Sequence, residues 1–333
     1  MGTKLSLDEI EEIAFRALLA AGASAAQARP VARSIRAAEA EGTRSIGLGY
    51  LPFYCQHLRV GKIAGDAVPL LSQPAPALLR VDAAGGFAHP AYEEGEAALI
   101  ETAMSQGVAL MGISGAYACG VLGYFTDRLA RAGLTAMMFA NASSTMAPWG
   151  GKTPFFGTNP WSFAAPREGD PLVIDSSSSA TAFVNIARAP EAGEEIAAHW
   201  PRDENRAPTT DPAQALEGSI APAGGHKGAA LALMVEVMAA GLTGANWSCQ
   251  ASSLGDDEGG PPRLGQTLIA IRSDGLAAGM AARLEEMLAA MSSQPGTRVP
   301  GERRHANRAR ALAEGVEVDD ETLARLNHMA GSA

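Results

Sequence analysis

Between residues 77 and 175 the hydrophobic period switches repeatedly, and that alternation limits the fold more than any other feature of the chain. Residues 77–82, 108–113, 135–141, 161–165 and 172–175 are short apolar runs of strand length, and 267–272 is a sixth. Helical patterns at 90–106 and 122–132 separate the first three, with Pro90 in a first turn that tolerates its missing N–H. Alternating strand and helix predict an α/β sheet domain. The flanks read differently. Ser6-x-x-Glu9 is a capping box that opens an amphipathic helix to about Ala21. A second helix runs from about Ala25 to Glu41, Gly42 ends it, residues 45–49 turn the chain, and a third helix covers 51–61. Helical periodicity returns over 276–291, and a basic loop from Pro300 leads to a terminal helix. We therefore expect residues 1–70 and 276–333 to form one helical domain beside an α/β domain of residues 71–275. Residues 188–222 hold prolines and acids without periodicity and read as a long loop or lid; 252–262 read as a second loop.

A hydrophobic fraction of 47% against 19% charged residues gives 333 residues ample material for a packed core. The net charge of −10 argues against nucleic acid as a partner, because phosphate binding needs Lys and Arg in excess. The three cysteines, Cys55, Cys119 and Cys249, are scattered, which suggests small buried hydrophobes in a reducing compartment, not a disulfide framework or a zinc site. No apolar run is long enough to span a bilayer, and the N-terminus lacks the order of a signal peptide, so a cytoplasmic location is expected with no membrane partner.

Gly224-Gly225-His226-Lys227-Gly228 precedes an apolar stretch, 229–241, that reads as a helix buried all round. A helix start offers unpaired N–H groups and the positive end of its dipole, glycines allow close approach, and Lys227 adds a full charge. That combination suits a cofactor phosphate. There is no Gly-x-Gly-x-x-Gly after a strand, so nothing points to a Rossmann domain.

Further matches run the length of the chain: 42–45, Leu51-Pro52-x-Tyr54, Gly86-Phe87-Ala88, 147–160 with its Pro-Trp-Gly-Gly-Lys-Thr-Pro core, Val173-Ile174-Asp175, 208–212, Leu242-Thr243-Gly244 and 300–304. With the Lys227 segment these resemble the type-2 malate/L-lactate dehydrogenase family, and look most like its branch reducing Δ1-piperideine-2-carboxylate and Δ1-pyrroline-2-carboxylate. The resemblance implies a non-Rossmann NAD(P)-binding fold, a mixed-sheet domain plus a helical domain built from both chain ends, a homodimer, and NADPH (or NADH) as cofactor. It places cofactor contacts at Ala118, Cys119, Gly120, Val121, Leu122, Ser176, Ser177, Ser178, Lys227, Gly228, Gly301, Glu302, Arg303 and Arg304, with Arg303 and Arg304 suggesting a 2′-phosphate.

The catalytic half departs from the family pattern. Ser45 matches the family's Ser, but Ile46 stands where its proton-donating His would be, Asn185 where its Asp would be, Tyr50 where an Arg would hold the substrate carboxylate, and Ala118 where a second His is common. Thr158 matches a substrate-contacting Thr. Losing His and Asp together is coherent, since a buried Asp without its imidazolium would be an unpaired charge. Reducing a ketone requires a proton as well as a hydride, whereas an iminium requires hydride alone. Ile46 and Tyr50 would suit a cationic electrophile, Tyr50 offering a cation–π face. The expectation is a reductase of a cyclic or N-substituted imine. A non-redox enzyme acting on a reactive imine, a degenerate cofactor-binding protein, and a 2-keto acid dehydrogenase remain open at this point. His199 on the lid and the Tyr50 phenol are alternative proton donors. His57, His89, His226, His305 and His328 show no metal spacing, and Asp175 is a candidate cap for Ser177 or Ser178.

Overall fold

A computed structural model of the chain describes residues 2–187, 195–203, 205 and 207–331. The strands are β1 (Gly2–Leu5), β2 (Leu70–Ala75), β3 (Leu78–Asp82), β4 (Val108–Ala116), β5 (Leu134–Ala140), β6 (Trp161–Ala165), β7 (Leu172–Ser176), β8 (Pro201–Arg202), β9 (Ser219–Ile220), β10 (Leu264–Arg272) and β11 (Val316–Asp319). The main sheet has the order β2-β3-β4-β10-β5-β6-β7. Only the β3–β4 pair is parallel; the other five are antiparallel. A late strand, β10, fills the centre, so the sheet is mixed and not doubly wound, as the family resemblance implied.

Helices α1 (Leu7–Ala20), α2 (Ala25–Ala40) and α3 (Leu51–Arg59) form the N-terminal layer, and α4 (Ala88–Gln106) and α5 (Gly123–Arg131) pack on the sheet. The capping box at α1 is complete: the Ser6 side chain accepts from Glu9 N–H while the Glu9 carboxylate accepts from Ser6 N–H. Leu99 of α4 and Phe125 of α5 are fully buried with Met111, Met138 and Leu268 of the sheet. The two chain ends share a second core, in which Ile10, Leu18, Ile35 and Leu51 meet Val318 and Leu326, and β1 pairs antiparallel with β11. The Met280–Ser292 helix, grouped by sequence with those ends, packs Leu288 against Leu172 and Val299 at the β7 edge instead.

Four readings change. The basic stretch after Pro300 is a helix, Glu302–Glu314, entered through left-handed Gly301 (φ 91°). The 188–222 segment is not featureless: Pro212–Glu217 is helical, β8 pairs with β9, and Ile186, Ile196, Ala215 and Ile220 form a small core. Residues 188–194, 204 and 206 of it lie outside the described residues. The Lys227 helix is His226–Glu236 followed by a π-turn over Val237–Gly241, and it is not buried all round, since Leu233, Met234 and Val237 are exposed. Finally, Cys55 and Cys119 are buried but Cys249 is exposed.

Candidate functional site

The turn at 43–49 is braced from behind. Glu39 is buried on α2 and its carboxyl accepts from Leu48 N–H at 2.7 Å. A Cβ on Gly47 would stand 2.3 Å from Glu39 Oε1, so glycine is needed there for the carboxyl to approach. Burial raises the Glu39 pKa, with the Leu48 N–H and then Arg44 opposing the rise. The turn presents half-exposed Ser45 and Ile46, and half-exposed Tyr50 follows at the start of α3.

The second wall is the segment after β4. Gly120 is left-handed (φ 68°), and a Cβ there would lie 3.3 Å from Ile46 Cγ2, 3.4 Å from Tyr54 Oη and 4.0 Å from His89 Nε2. Thus Ile46 and Gly120, 74 positions apart in sequence, pack against one another. An aromatic cluster stands beside them: Tyr50 is edge-on to Tyr54 with centroids 4.8 Å apart, and Tyr54 meets Tyr117 at 5.9 Å. Burial holds the Tyr50, Tyr54 and Tyr117 phenols above their ordinary range, so they stay protonated near neutral pH.

Behind this cluster, His57 Nδ1 is bonded to the Tyr117 hydroxyl, and Nε2 lies 3.1 Å from the Asp256 carbonyl. Burial lowers the His57 pKa, Lys62 lowers it further, and the Asp256 carbonyl with the Asp257 and Asp256 carboxylates works against them. Lys62, fully buried, donates to the Ser253, Asp256 and Glu258 carbonyls and pins the 252–262 loop there.

His89 is a different case. It sits in the first turn of α4, fully buried, without a full hydrogen bond at either nitrogen, the Cys119 main chain giving only partial support. Burial pushes its pKa down to about 3. A depressed histidine means the unfolded chain binds the extra proton between pH 6.5 and about 3, so stability falls as pH falls through that window. From pH 7 to about 4.5 the loss from this one group should be about 2–3 kcal/mol. Urea melts at both pH values should show His89→Leu losing less stability over that interval than the parent; an equal loss would refute it.

On the cofactor side the expected residues are contiguous. Ser178 N–H donates to the Thr158 carbonyl at 3.0 Å, Ala223 N–H donates to the Ser178 carbonyl at 2.9 Å, and the Lys227 helix begins just beyond. Lys227 is exposed at that helix start. Gly225 is left-handed (φ 70°), with space for a Cβ closed by the Trp149 ring at 3.3 Å. Gly228 is required for packing, because a Cβ there would stand 2.2 Å from the Ala223 carbonyl oxygen. A cleft of about 870 Å³ runs past Trp149, Gly224, Gly225, Ile220 and His199. None of the expected cofactor residues lines that cleft, which only borders Gly224 and Gly225 ahead of the helix; the helix start itself has the free N–H groups that suit a phosphate.

Several assignments shift in detail. Asp175 does not cap Ser177 or Ser178; it accepts from Gly123 N–H at 2.9 Å, at the start of α5, and pairs with Arg304 at 3.1 Å. Arg304 is thus committed within the protein, while Glu302 and Arg303 are exposed and Gly301 packs close to the Val173 backbone. The Cys119 thiol is pushed up to about 12 by burial and, with Val121 and Leu122, is buried, leaving the main chain of that segment to meet a ligand. Ser178 Oγ is spent on the Asn159 carbonyl, whereas Ser176 is exposed. Asn185 is exposed and donates to Thr181 Oγ1 at 2.9 Å; no described contact brings it to Ser45 or Ile46. His199 lines the cleft beside the Lys227 helix, away from Ile46. Sequence reading missed the His57–Tyr117 pair and the Lys62 anchor, since partners up to 199 residues apart leave no local pattern.

Comparison with known proteins agrees with this geometry. The model of the malate/L-lactate dehydrogenase family matches residues 5–327. The chain is 44% identical to a (2R)-3-sulfolactate dehydrogenase (NADP(+)) of Chromohalobacter salexigens, covering 100% of this chain and 99% of that protein. It is 40% identical to a Δ1-pyrroline-2-carboxylate reductase of Ancylobacter novellus over 97% of this chain and 96% of that one. The crystal structure of Δ1-piperideine-2-carboxylate reductase from Pseudomonas syringae pv. tomato superposes with a TM-score of 0.93 at 34% identity, covering 98% of this chain and 99% of that one. The chain belongs to the malate/L-lactate dehydrogenase family and is an NAD(P)H oxidoreductase.

Proposed function

We propose that this protein reduces a cyclic or N-substituted imine, taken as its iminium, with NADPH as the preferred hydride donor. The observation that carries the reading is the packing of Ile46 on Gly120, which puts an alkyl group where the family resemblance places an acid. Beside it stands half-exposed Tyr50, whose ring would favour a cation, at the position where the resemblance places a carboxylate-holding arginine. A bound reduced nicotinamide supplies hydride; Lys227, the first N–H groups of its helix and exposed Arg303 would hold the phosphates. Ser45 and Thr158 remain the substrate-contacting candidates, with Asn185 at the margin. The reading includes a cytoplasmic homodimer, supported by the exposed apolar row Leu233, Met234 and Val237, and the division into residues 1–70 with 276–333 and residues 71–275, except that the Met280–Ser292 helix belongs with the β7 edge.

The test is NADPH oxidation by the purified protein with a panel of cyclic imines, some lacking a carboxylate. Turnover of at least one supports the reading. Turnover of a 2-keto acid with none of the imines overturns it, and tight NADPH binding without oxidation by any substrate would instead indicate a binding protein.

A further inference from the structure

We propose that the cleft beside Trp149 binds an organic anion with an apolar body, an aromatic carboxylate or sulfonate, and that Arg202 holds its acid group. The cleft has a volume of about 870 Å³, a size that takes a small organic molecule. Most of its wall comes from residues 147–151, 198–202 and 219–225. Main-chain bonds join these stretches. Ile220 N–H donates to the Thr145 carbonyl at 2.8 Å, and Ala221 N–H donates to the Trp200 carbonyl at 2.7 Å. The β8–β9 pair sets Arg202 opposite Ser219. The wall is therefore in place before a ligand arrives, which lowers the cost of binding.

The lining is mostly apolar, with Pro148, Trp149, Ile220 and Pro222 prominent. Trp149 is 64% exposed, yet its ring is braced. It stands edge-on to His226 with centroids 5.9 Å apart, and a Cβ on Gly225 would lie 3.3 Å from it. A large ring that is held in place and largely open to solvent is a stacking surface.

Charge decides the class of ligand. The chain has 36 acidic residues against 26 Lys and Arg, a net charge of −10. Even so, no Asp or Glu lines the cleft, and the two ionisable residues that do are Arg202 and His199. Among the described residues neither makes an ion pair. A half-buried guanidinium without a counter-ion offers donors in a planar fork that matches a carboxylate or sulfonate. His199 can add a ring N–H. A cationic ligand would find nothing in this lining to neutralise it. Of the residues read as touching substrate or cofactor, only His199 lines the cleft. The anion site is thus separate from the Ile46–Gly120 corner and from the Lys227 helix start, and it stands whether or not an imine is the substrate.

Benzoate is the probe, with benzamide as its uncharged counterpart and acetate as the acid without the ring. Calorimetry on the purified protein should find saturable benzoate binding, with benzamide and acetate each at least about 10-fold weaker. Arg202→Met should weaken benzoate by about 10- to 100-fold and leave benzamide unchanged. Trp149→Ala should weaken both by about 2- to 10-fold. In nitrogen-labelled protein the Trp149 indole N–H signal, assigned by its loss in Trp149→Phe, should move as benzoate is added. NADPH should still bind the benzoate-saturated protein, and Lys227→Ala should bind benzoate as the parent does. The benzamide comparison and the indole signal need no change at Arg202, so they decide the matter even if that variant fails to fold. An anion site at Arg202 is excluded if benzoate does not bind saturably, if benzamide binds as tightly, or if folded Arg202→Met keeps the parent's affinity. It is equally excluded if the Trp149 signal stays in place, or if benzoate and NADPH displace one another.

Discussion

Replacing Lys227 with Ala should weaken NADPH binding by about 10- to 100-fold while leaving the melting curve in place. The estimate follows from one charge-assisted hydrogen bond, worth about 1.5–3 kcal/mol. Stability should not change, because Lys227 is exposed at the start of the His226–Glu236 helix and ties down no other side chain. The loss should be similar for NADH, since the charge serves a phosphate common to both cofactors. Arg303→Ala separates the two. Arg304 is committed to Asp175, so of the two expected arginines exposed Arg303 is the candidate for a 2′-phosphate, and its removal should weaken NADPH more than NADH. Fluorescence titration of each variant reads all of this without turnover. Unchanged NADPH affinity in Lys227→Ala would put the dinucleotide elsewhere.

The largest stability effect is expected at the far end of the same helix. Glu236 is buried and accepts from Ser248 N–H and from Ser248 Oγ at 2.6 Å, from Asn159 Nδ2 at 2.7 Å and, more weakly, from Asn141 Nδ2 at 3.4 Å. Leucine fills the space but strands Ser248 N–H and leaves Ser248 Oγ only a 3.4 Å contact to Asn159 Oδ1, while Asn159 Nδ2 and Asn141 Nδ2 each lose one of two acceptors and keep the Ala232 and Asn246 carbonyls. Each stranded donor costs about 1–3 kcal/mol, with partial relief as the pocket relaxes, so Glu236→Leu should lose about 3–5 kcal/mol. The damage should reach the site. Asn159 is held at a positive φ (41°) between Thr158 and Pro160, and its carbonyl receives Ser178 Oγ. Urea denaturation measures the first effect and NADPH titration the second. A variant as stable as the parent would mean that the network does not hold this corner.

How much of this the sequence discloses depends on how local each cause is. The 161–165 run was readable because a short aromatic and apolar segment paired within a sheet carries its own pattern, and Trp161–Ala165 is a strand. Leu70–Ala75 was not: it is an exposed edge strand containing Pro74, with no alternation to detect. The Glu302–Glu314 helix looked like a loop because its polar sequence has no apolar stripe; ion pairs from Arg304 to Asp175 and from Arg308 to Glu41 tie it down, and their partners lie far away in sequence. The opposite error came from the Lys227 helix, where apolar residues all round suggested burial although Leu233 and Met234 face out. In the site, Gly120 and Ile46 could be paired only through the family resemblance. His57 looked like an unremarkable histidine until the fold set it against Tyr117, 60 residues on.

The central claim is that a nicotinamide-dependent site has exchanged its acid for an apolar and aromatic wall, and so favours an electrophile that is already charged. The most direct test compares kcat/KM for Δ1-piperideine-2-carboxylate and for pyruvate, with NADPH, at about pH 8. The imine should exceed the keto acid by about 10²-fold or more, the range expected when a proton donor is missing from carbonyl reduction. Equal values, or pyruvate turned over faster than the imine at that pH, would contradict it.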